Sequence, residues 1–146
     1  MYRPDVIFDH YRRLTIAAIC SFFVGGSVYY AIEVLYRGYS HVTMWFCGAI
    51  CLTGILFIER TYAPLPIYKR ALYSALFITA VELVFGCVFN LWLGLGVWDY
   101  SHIPLNLLGQ ICLPFTAVWY LLSFPASLLC RVIVGAVGLH RQGQPT

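Results

Sequence analysis

Three acidic side chains sit inside long apolar runs of this chain: Glu33, Glu59 and Glu82. A carboxylate in lipid is costly, so it normally faces a bundle interior and has a partner or a task. Glu82 is the most isolated. Residues 71–81 before it are all uncharged, and the next charge after it is Asp99. Gly86 and Asn90 follow at four-residue steps, which puts all three on one helix face, with Gly86 leaving room for a neighbour. Gly26, Tyr29 or Tyr30, and Glu33 repeat the spacing earlier in the chain. The run GVWDYSHIPLNLLGQICL, residues 96–113, then supplies Trp98, Asp99, Tyr100, Asn106 and Gln110.

The chemistry this collection suits is cation binding. Three carboxylates in one low-dielectric site cannot all stay ionised unless a cation or protons join them. Aromatic faces add cation–π attraction. An acid that trades a proton for a cation is the working part of a coupled exchanger, and the same property serves a general acid. The expected object is an outward-opening, acidic, aromatic-rimmed pocket for a cationic or zwitterionic small molecule. Glu82 is its central cation or proton site, with Glu33 and Asp99 as secondary acids. Asn90, Asn106 and Gln110 orient the ligand, and Trp98 and Tyr100 form a lid.

Each residue also has a structural reading. Glu82 hydrogen-bonded to Gln110 or Asn106 would lock the bundle. Glu33 is spaced to pair with Arg37, four residues on. Glu59 and the adjacent Arg60 read as a structural ion pair anchoring the next loop. Trp98, Tyr100, Trp119 and Tyr120 suit an interfacial belt. Pro114 is expected to kink the fourth helix.

The elements that position these residues follow from composition. The chain has 146 residues, 61% hydrophobic and 10% charged. Soluble domains carry about 25% charged residues. The fold class is therefore an all-α polytopic membrane protein. Four transmembrane helices are expected over 14–36, 42–59, 68–93 and 105–123, each near the ~20 residues that cross a hydrocarbon core. Residues 1–13 read as an interfacial segment, 14–123 as the transmembrane domain, and 124–146 as a further helix with a polar tail. A fifth crossing over 125–139 would put Arg131 in lipid, at ~2.5–3.5 kcal/mol. That segment is expected to continue helix four past a Pro125 kink or to lie at the interface.

Arg3, Arg12 and Arg13 flank the first helix, Arg60, Lys69 and Arg70 the second loop, and Arg131 and Arg141 the end; the first loop has only Arg37 and the third has no Lys or Arg. The positive-inside rule places both termini in the cytoplasm. The apolar run after Arg13 is too long for a cleaved signal peptide and reads as a retained helix. No Gly-rich phosphate loop with a Lys occurs, so P-loop nucleotide hydrolysis is excluded. The net charge of +3 comes from small basic clusters at helix ends and is no nucleic-acid footprint. Cys47 and Cys51 share a helix face without further metal ligands, and the six cysteines read as small apolar residues. No metal, cofactor or catalytic residue is assigned. The expected partners are the lipid bilayer, a small-molecule or ion substrate and a second copy of the chain. Gly25, Gly26, Gly48 and Gly54 are the candidate close-packing positions of a homo-oligomer.

The order of Glu33, FIERTY at 57–62, VELVFG at 81–86, VWDYSHIPLNLLGQICL at 97–113 and Trp119 resembles the Putative ABC-transporter type IV, or CmpB-like, family. The transmembrane protein 229 family of animals resembles the same pattern. The resemblance covers roughly residues 20–123. It implies a small multi-pass membrane protein of a bacterial plasma membrane, with Glu33, Glu59, Glu82 and the WDYS run as its signature. It implies no established activity, and the chain carries no ATPase of its own.

Three functions remain open on the residues. One is a small transporter-like protein using the acidic pocket. Another is an intramembrane enzyme on a lipid or lipid-linked substrate, with Glu82 and Asp99 as acid and base. The third is a non-catalytic assembly subunit whose polar core sets partner specificity.

Overall fold

No glycine or proline interrupts the chain between Asp5 and Val24, so the first helix has no reason to wait for the apolar run. The computed structural model describes residues 4–139. In it α1 spans Pro4–Arg37. The lead-in expected over 1–13 is therefore helical from residue 4; residues 1–3, Arg3 among them, lie outside the described residues. Proline suits a helix start, where its missing N–H is not needed. Gly38, at φ +81, ends the helix in the left-handed conformation, and its N–H bonds the Val34 carbonyl at 2.8 Å.

Helix α2 spans Val42–Thr61 and is capped by His41, whose ring accepts the Thr43 N–H at 3.3 Å. Helix α3 spans Ile67–Phe85 after Pro66 and widens into a π-helical extension, Gly86–Trp92. Helix α4 spans Leu113–Ala136. These are four helices long and apolar enough to cross a membrane, and the protein is an integral, multi-pass, all-α membrane protein.

Two expectations about the fourth helix are corrected. The sequence pattern predicts a start at residue 105, with Asn106 and Gln110 one turn apart on the helix. Instead 106–107 (β1) and 111–112 (β2) form a short antiparallel pair, with Asn106 opposite Cys112 and Leu107 opposite Ile111. The cause is local. The Asn106 amide donates to the Ser101 and Ile103 carbonyls at 3.3 and 2.8 Å and accepts the Gly109 N–H at 3.1 Å. An Asn bonded to nearby backbone this way competes with helix formation. Pro114 then falls in the first turn of α4, where it fits, so it is a start signal and not a kink. At the other end α4 runs through Pro125 to Ala136. The 125–139 segment is largely a continuation of this helix, with exposed Arg131 near its end, close enough for its long side chain to snorkel. The polar tail 140–146, with Arg141, lies outside the described residues.

Helix α2 is the central one: 56% of its most apolar window is buried, against 22–28% for the other three helices. Its Cys47, Cys51, Leu52, Ile55 and Leu56 form the core with Ala17 of α1, Ile78 of α3 and Cys130 of α4. All six cysteines are free thiols. The glycines expected to join two copies are used within the chain. Gly25, Gly26 and Gly48 let α1 and α2 touch, and Gly54 receives the Phe77 ring of α3.

The segment between α3 and α4 carries exposed Leu93, Leu95, Leu105, Leu107 and Leu108. Leu105 and Leu108 sit at φ +58 and +55, a conformation that costs a side-chain-bearing residue ~1–2 kcal/mol. Leu108→Gly removes that cost at an exposed site. We expect it to stabilise the protein by ~1 kcal/mol, read as a higher melting temperature in detergent. A lower melting temperature would show that the leucine side chain holds the loop.

Candidate functional site

Glu82 is 2% exposed. Its Oε1 accepts the Tyr100 hydroxyl at 3.1 Å, and its Oε2 accepts the Trp119 indole N–H at 2.9 Å. Both donors are neutral. Among the described residues no salt bridge reaches this carboxyl. Three elements make the arrangement: α3 brings the acid, the 93–112 segment brings Tyr100, and α4 brings Trp119. Tyr100 stacks on Phe115, ring centroids 4.7 Å apart, which fixes the phenol over the acid. Burial holds the Tyr100 phenol well above its ordinary pKa, so it stays protonated and donates.

Glu82 lies at one end of a cavity of about 220 Å³ inside the bundle. Gly25, Tyr29 and Ile32 of α1 form one wall, and Trp119, Leu122 and Leu129 of α4 the other. Cys47, Cys51 and Leu52 of α2 form the floor. The lining is apolar apart from Glu82, the Tyr29 phenol, the Trp119 indole and the two thiols. The Tyr29 and Trp119 rings stand 6.1 Å apart at the Glu82 end.

The other residues expected at the site are placed elsewhere. Asn90, Trp98 and Gln110 bond to one another and to backbone. The Asn90 amide donates to Gln110 Oε1 at 2.8 Å and to the Trp98 carbonyl at 3.0 Å, and it accepts the Val97 N–H at 2.7 Å. The Trp98 indole donates to the Gln110 carbonyl at 2.9 Å. Gly86 admits this packing, since a Cβ there would stand 2.6 Å from Gln110 Oε1. The π-helical turn carries Asn90 to the loop, the kind of local widening that recurs at functional sites. None of the three residues lines the cavity.

Glu33 is paired with Arg37 and accepts the Ser40 hydroxyl. Arg37 also donates to the Val97 carbonyl at 3.1 Å, so this pair ties the end of α1 to the segment over Glu82. Asp99 is exposed and turns both oxygens to Ser101, taking its N–H at 2.8 Å and its hydroxyl at 2.9 Å. Those bonds, the N–H first, hold the Asp99 carboxyl below the usual range, so it is ionised at neutral pH. Asn106 serves its own loop, as described above. The three acids are therefore not grouped in one open cup. Glu82 alone reaches the cavity, and the segment expected to rim a pocket covers that end of the bundle.

Arg70 of α3 meets Glu59, its Nη1 2.9 Å from Oε2. Ser127 of α4 donates to the other Glu59 oxygen at 2.9 Å. Adjacent Arg60 is half-buried. This buried network clamps α2, α3 and α4 at the far end from Glu82. In sequence Arg70 reads as a topology signal, Trp119 as a belt aromatic and Tyr29 as one of two tyrosines near Glu33; Ser127 carries no signal. One signal was present: Arg70, Ser74, Ile78 and Glu82 recur every four residues, a row that winds slowly round α3, and all four are buried.

No solved structure matches this chain. The model of the family described as Putative ABC-transporter type IV matches residues 21–139. That span holds the second half of α1, the whole of α2, α3 and α4, both buried acids and the segment over Glu82, and the chain belongs to this family.

Proposed function

We propose that the protein is a small transporter-type membrane protein that binds a cationic or zwitterionic small molecule at Glu82 and exchanges it against a proton. One observation carries this reading. Glu82 is buried at the end of an intramembrane cavity and is met by neutral donors only, whereas Glu33 and Glu59 each have an arginine. An ionised carboxylate accepts about four hydrogen bonds, and two of these places are filled. A buried ion without a counter-charge is costly. A proton or a ligand cation supplies that charge, and the two compete for one site. The Tyr29 ring, which lines the same cavity, adds an aromatic face for a cation.

The remaining polar residues are supports in this reading. Asn90, Trp98 and Gln110 hold the covering segment, Glu33 and Arg37 tether it, and Tyr100 reports its position to Glu82. The acid–base enzyme reading loses force, because Asp99 spends its oxygens on Ser101. The cytoplasm is the side we assign to Arg12, Arg13 and Lys69, in a bacterial plasma membrane. Arg13 of α1 reaches the Val137 carbonyl after α4 at 3.1 Å, which brings those two helix ends together.

The test is charge movement by reconstituted protein on a solid-supported membrane. The panel is amines, guanidinium compounds, choline-like solutes and amino acids, with and without a proton gradient. We expect a solute-evoked current that rises with the gradient and falls to background in Glu82→Gln, with the variant still folded. A Glu82→Gln current with unchanged pH dependence would sink the reading.

A further inference from the structure

The Glu82 cavity has two ends and one side. At the Glu82 end, Tyr100 sits on the acid while Val97 and Trp98 of the same covering segment are buried. Arg37 holds that segment through the Val97 carbonyl. At the opposite end of the bundle, the Glu59–Arg70–Ser127 network joins three helices. Arg13 spans from α1 to the Val137 and Gly138 carbonyls behind α4, at 3.1 and 3.3 Å. Water-side access is thus covered at both ends.

The side between α1 and α4 is different. Val28 and Ile32 of α1 and Leu122 of α4 line the cavity, yet they are 43%, 52% and 41% exposed. A residue that both lines a cavity and faces out marks its mouth. These three lie within membrane-spanning helices, so the mouth opens at bilayer depth. The α1 and α4 helices are thus joined by Arg13 at one end and by the Tyr29 and Trp119 rings beside Glu82, with Val28, Ile32 and Leu122 at the mouth between them.

The lining specifies what fits. Most of the wall is aliphatic, and its one acid is at one end. A hydrophilic cation would leave its water shell in lipid to reach this mouth. A cation on an alkyl chain would not, since its chain is already in the bilayer. The cavity, at about 220 Å³, is below the ~300–1,000 Å³ of pockets that enclose a whole drug-sized ligand. It holds a headgroup and a short length of a single chain, with the rest left in lipid.

From this geometry we infer that the ligand is a single-chain lipophilic amine that enters from the bilayer between α1 and α4, with its ammonium at Glu82 and its chain at the α1–α4 mouth. The inference rests on Glu82 being the binding acid and adds the substrate class and the route.

The test uses full-length protein in phosphatidylcholine vesicles and octylamine carrying a mid-chain diazirine. The analogue ending in a hydroxyl is the neutral control, and methylamine is the hydrophilic competitor. Labelled residues are mapped by mass spectrometry. We expect the amine to label the Val28–Ile32 and Leu122–Ala126 stretches several-fold more than the alcohol. Excess octylamine should compete and methylamine should not. Glu82→Gln should reduce amine labelling to the alcohol's level. Leu122→Trp, which fills the mouth, should reduce it in protein of unchanged size-exclusion profile. Suppose instead that methylamine competes as well as octylamine, and Leu122→Trp has no effect while Glu82→Gln does. That would overturn the lipid route and leave the Glu82 reading standing. Equal labelling by amine and alcohol, indifferent to Glu82→Gln, would overturn both. The wild-type comparison of amine with alcohol needs no variant, so a folding failure in either one does not remove the test.

Discussion

Arg70→Met should destabilise the protein by ~3–5 kcal/mol, the cost of leaving one buried charge without its partner. Arg70 and Glu59 have side chains only 10% and 7% exposed, and they meet at 2.9 Å. The Ser127 hydroxyl lies 2.9 Å from the second Glu59 oxygen and 2.7 Å from the Ser123 carbonyl, so its one proton is shared between two acceptors. Removing the guanidinium leaves the buried Glu59 carboxylate with the Ser127 hydroxyl but without Arg70. The arrangement is not itself optimal, because the Arg70 Nε–H is buried without a protein partner. That detail sharpens the prediction. Replacing both charges, Glu59→Met with Arg70→Met, should recover most of the lost stability, since a buried pair and a well-packed apolar pair are often close in energy. Thermal unfolding in detergent measures all three variants. If the double variant is as unstable as the single one, the network contributes through Ser127 and local packing, and the charge argument is wrong.

Gly48→Ala should be nearly as damaging, ~3 kcal/mol, at the upper end for overpacking. A Cβ at Gly48 would stand 2.3 Å from the Tyr29 Cβ and 2.9 Å from the Gly25 carbonyl oxygen. A Cβ at Gly25 would meet the Leu52 Cβ at 2.5 Å and the Gly48 carbonyl at 2.7 Å. These are backbone and Cβ atoms, and no rotamer change moves them. Helices α1 and α2 must separate, and Tyr29 must leave the cavity wall. Gly54→Ala makes the contrast. Its Cβ would meet the Phe77 ring at 2.0 Å, but a ring can swing away, so a smaller loss of ~1 kcal/mol is expected. Gly135→Ala meets nothing within 4 Å and should gain ~0.5–1 kcal/mol from helix propensity. The ranking is checked by unfolding the three variants side by side. Equal losses at Gly48 and Gly54 would mean that α1 and α2 can slide apart at little cost.

Four crossings were legible because hydrocarbon thickness sets helix length, and a chain with so few charges has no other way to satisfy its backbone. The importance of Glu82 was legible for the same reason: an acid in an apolar run has to be explained. The start of α4 was less legible. Asn106, Gly109 and Gln110 suit a helix by spacing and a turn by chemistry, and the side-chain bonds of Asn106 to nearby backbone decide for the turn. The Arg70 partner of Glu59 was not legible in one dimension. Arg60 is adjacent in sequence, whereas Arg70 comes across from α3 only when the helices pack.

By itself, then, the sequence determined the membrane class, the helix count and the outlying acid, because these follow from local composition and from spacing along one helix. Tertiary structure decided which acids share a space. It gave Glu33 and Glu59 to arginines, turned Asp99 outward, and used Asn90, Trp98 and Gln110 to fasten the covering segment. It also joined Tyr29, Trp119 and Glu82, from three helices, around one cavity. Such groupings depend on which helix faces meet, and periodicity within one helix says nothing about its rotation against the next.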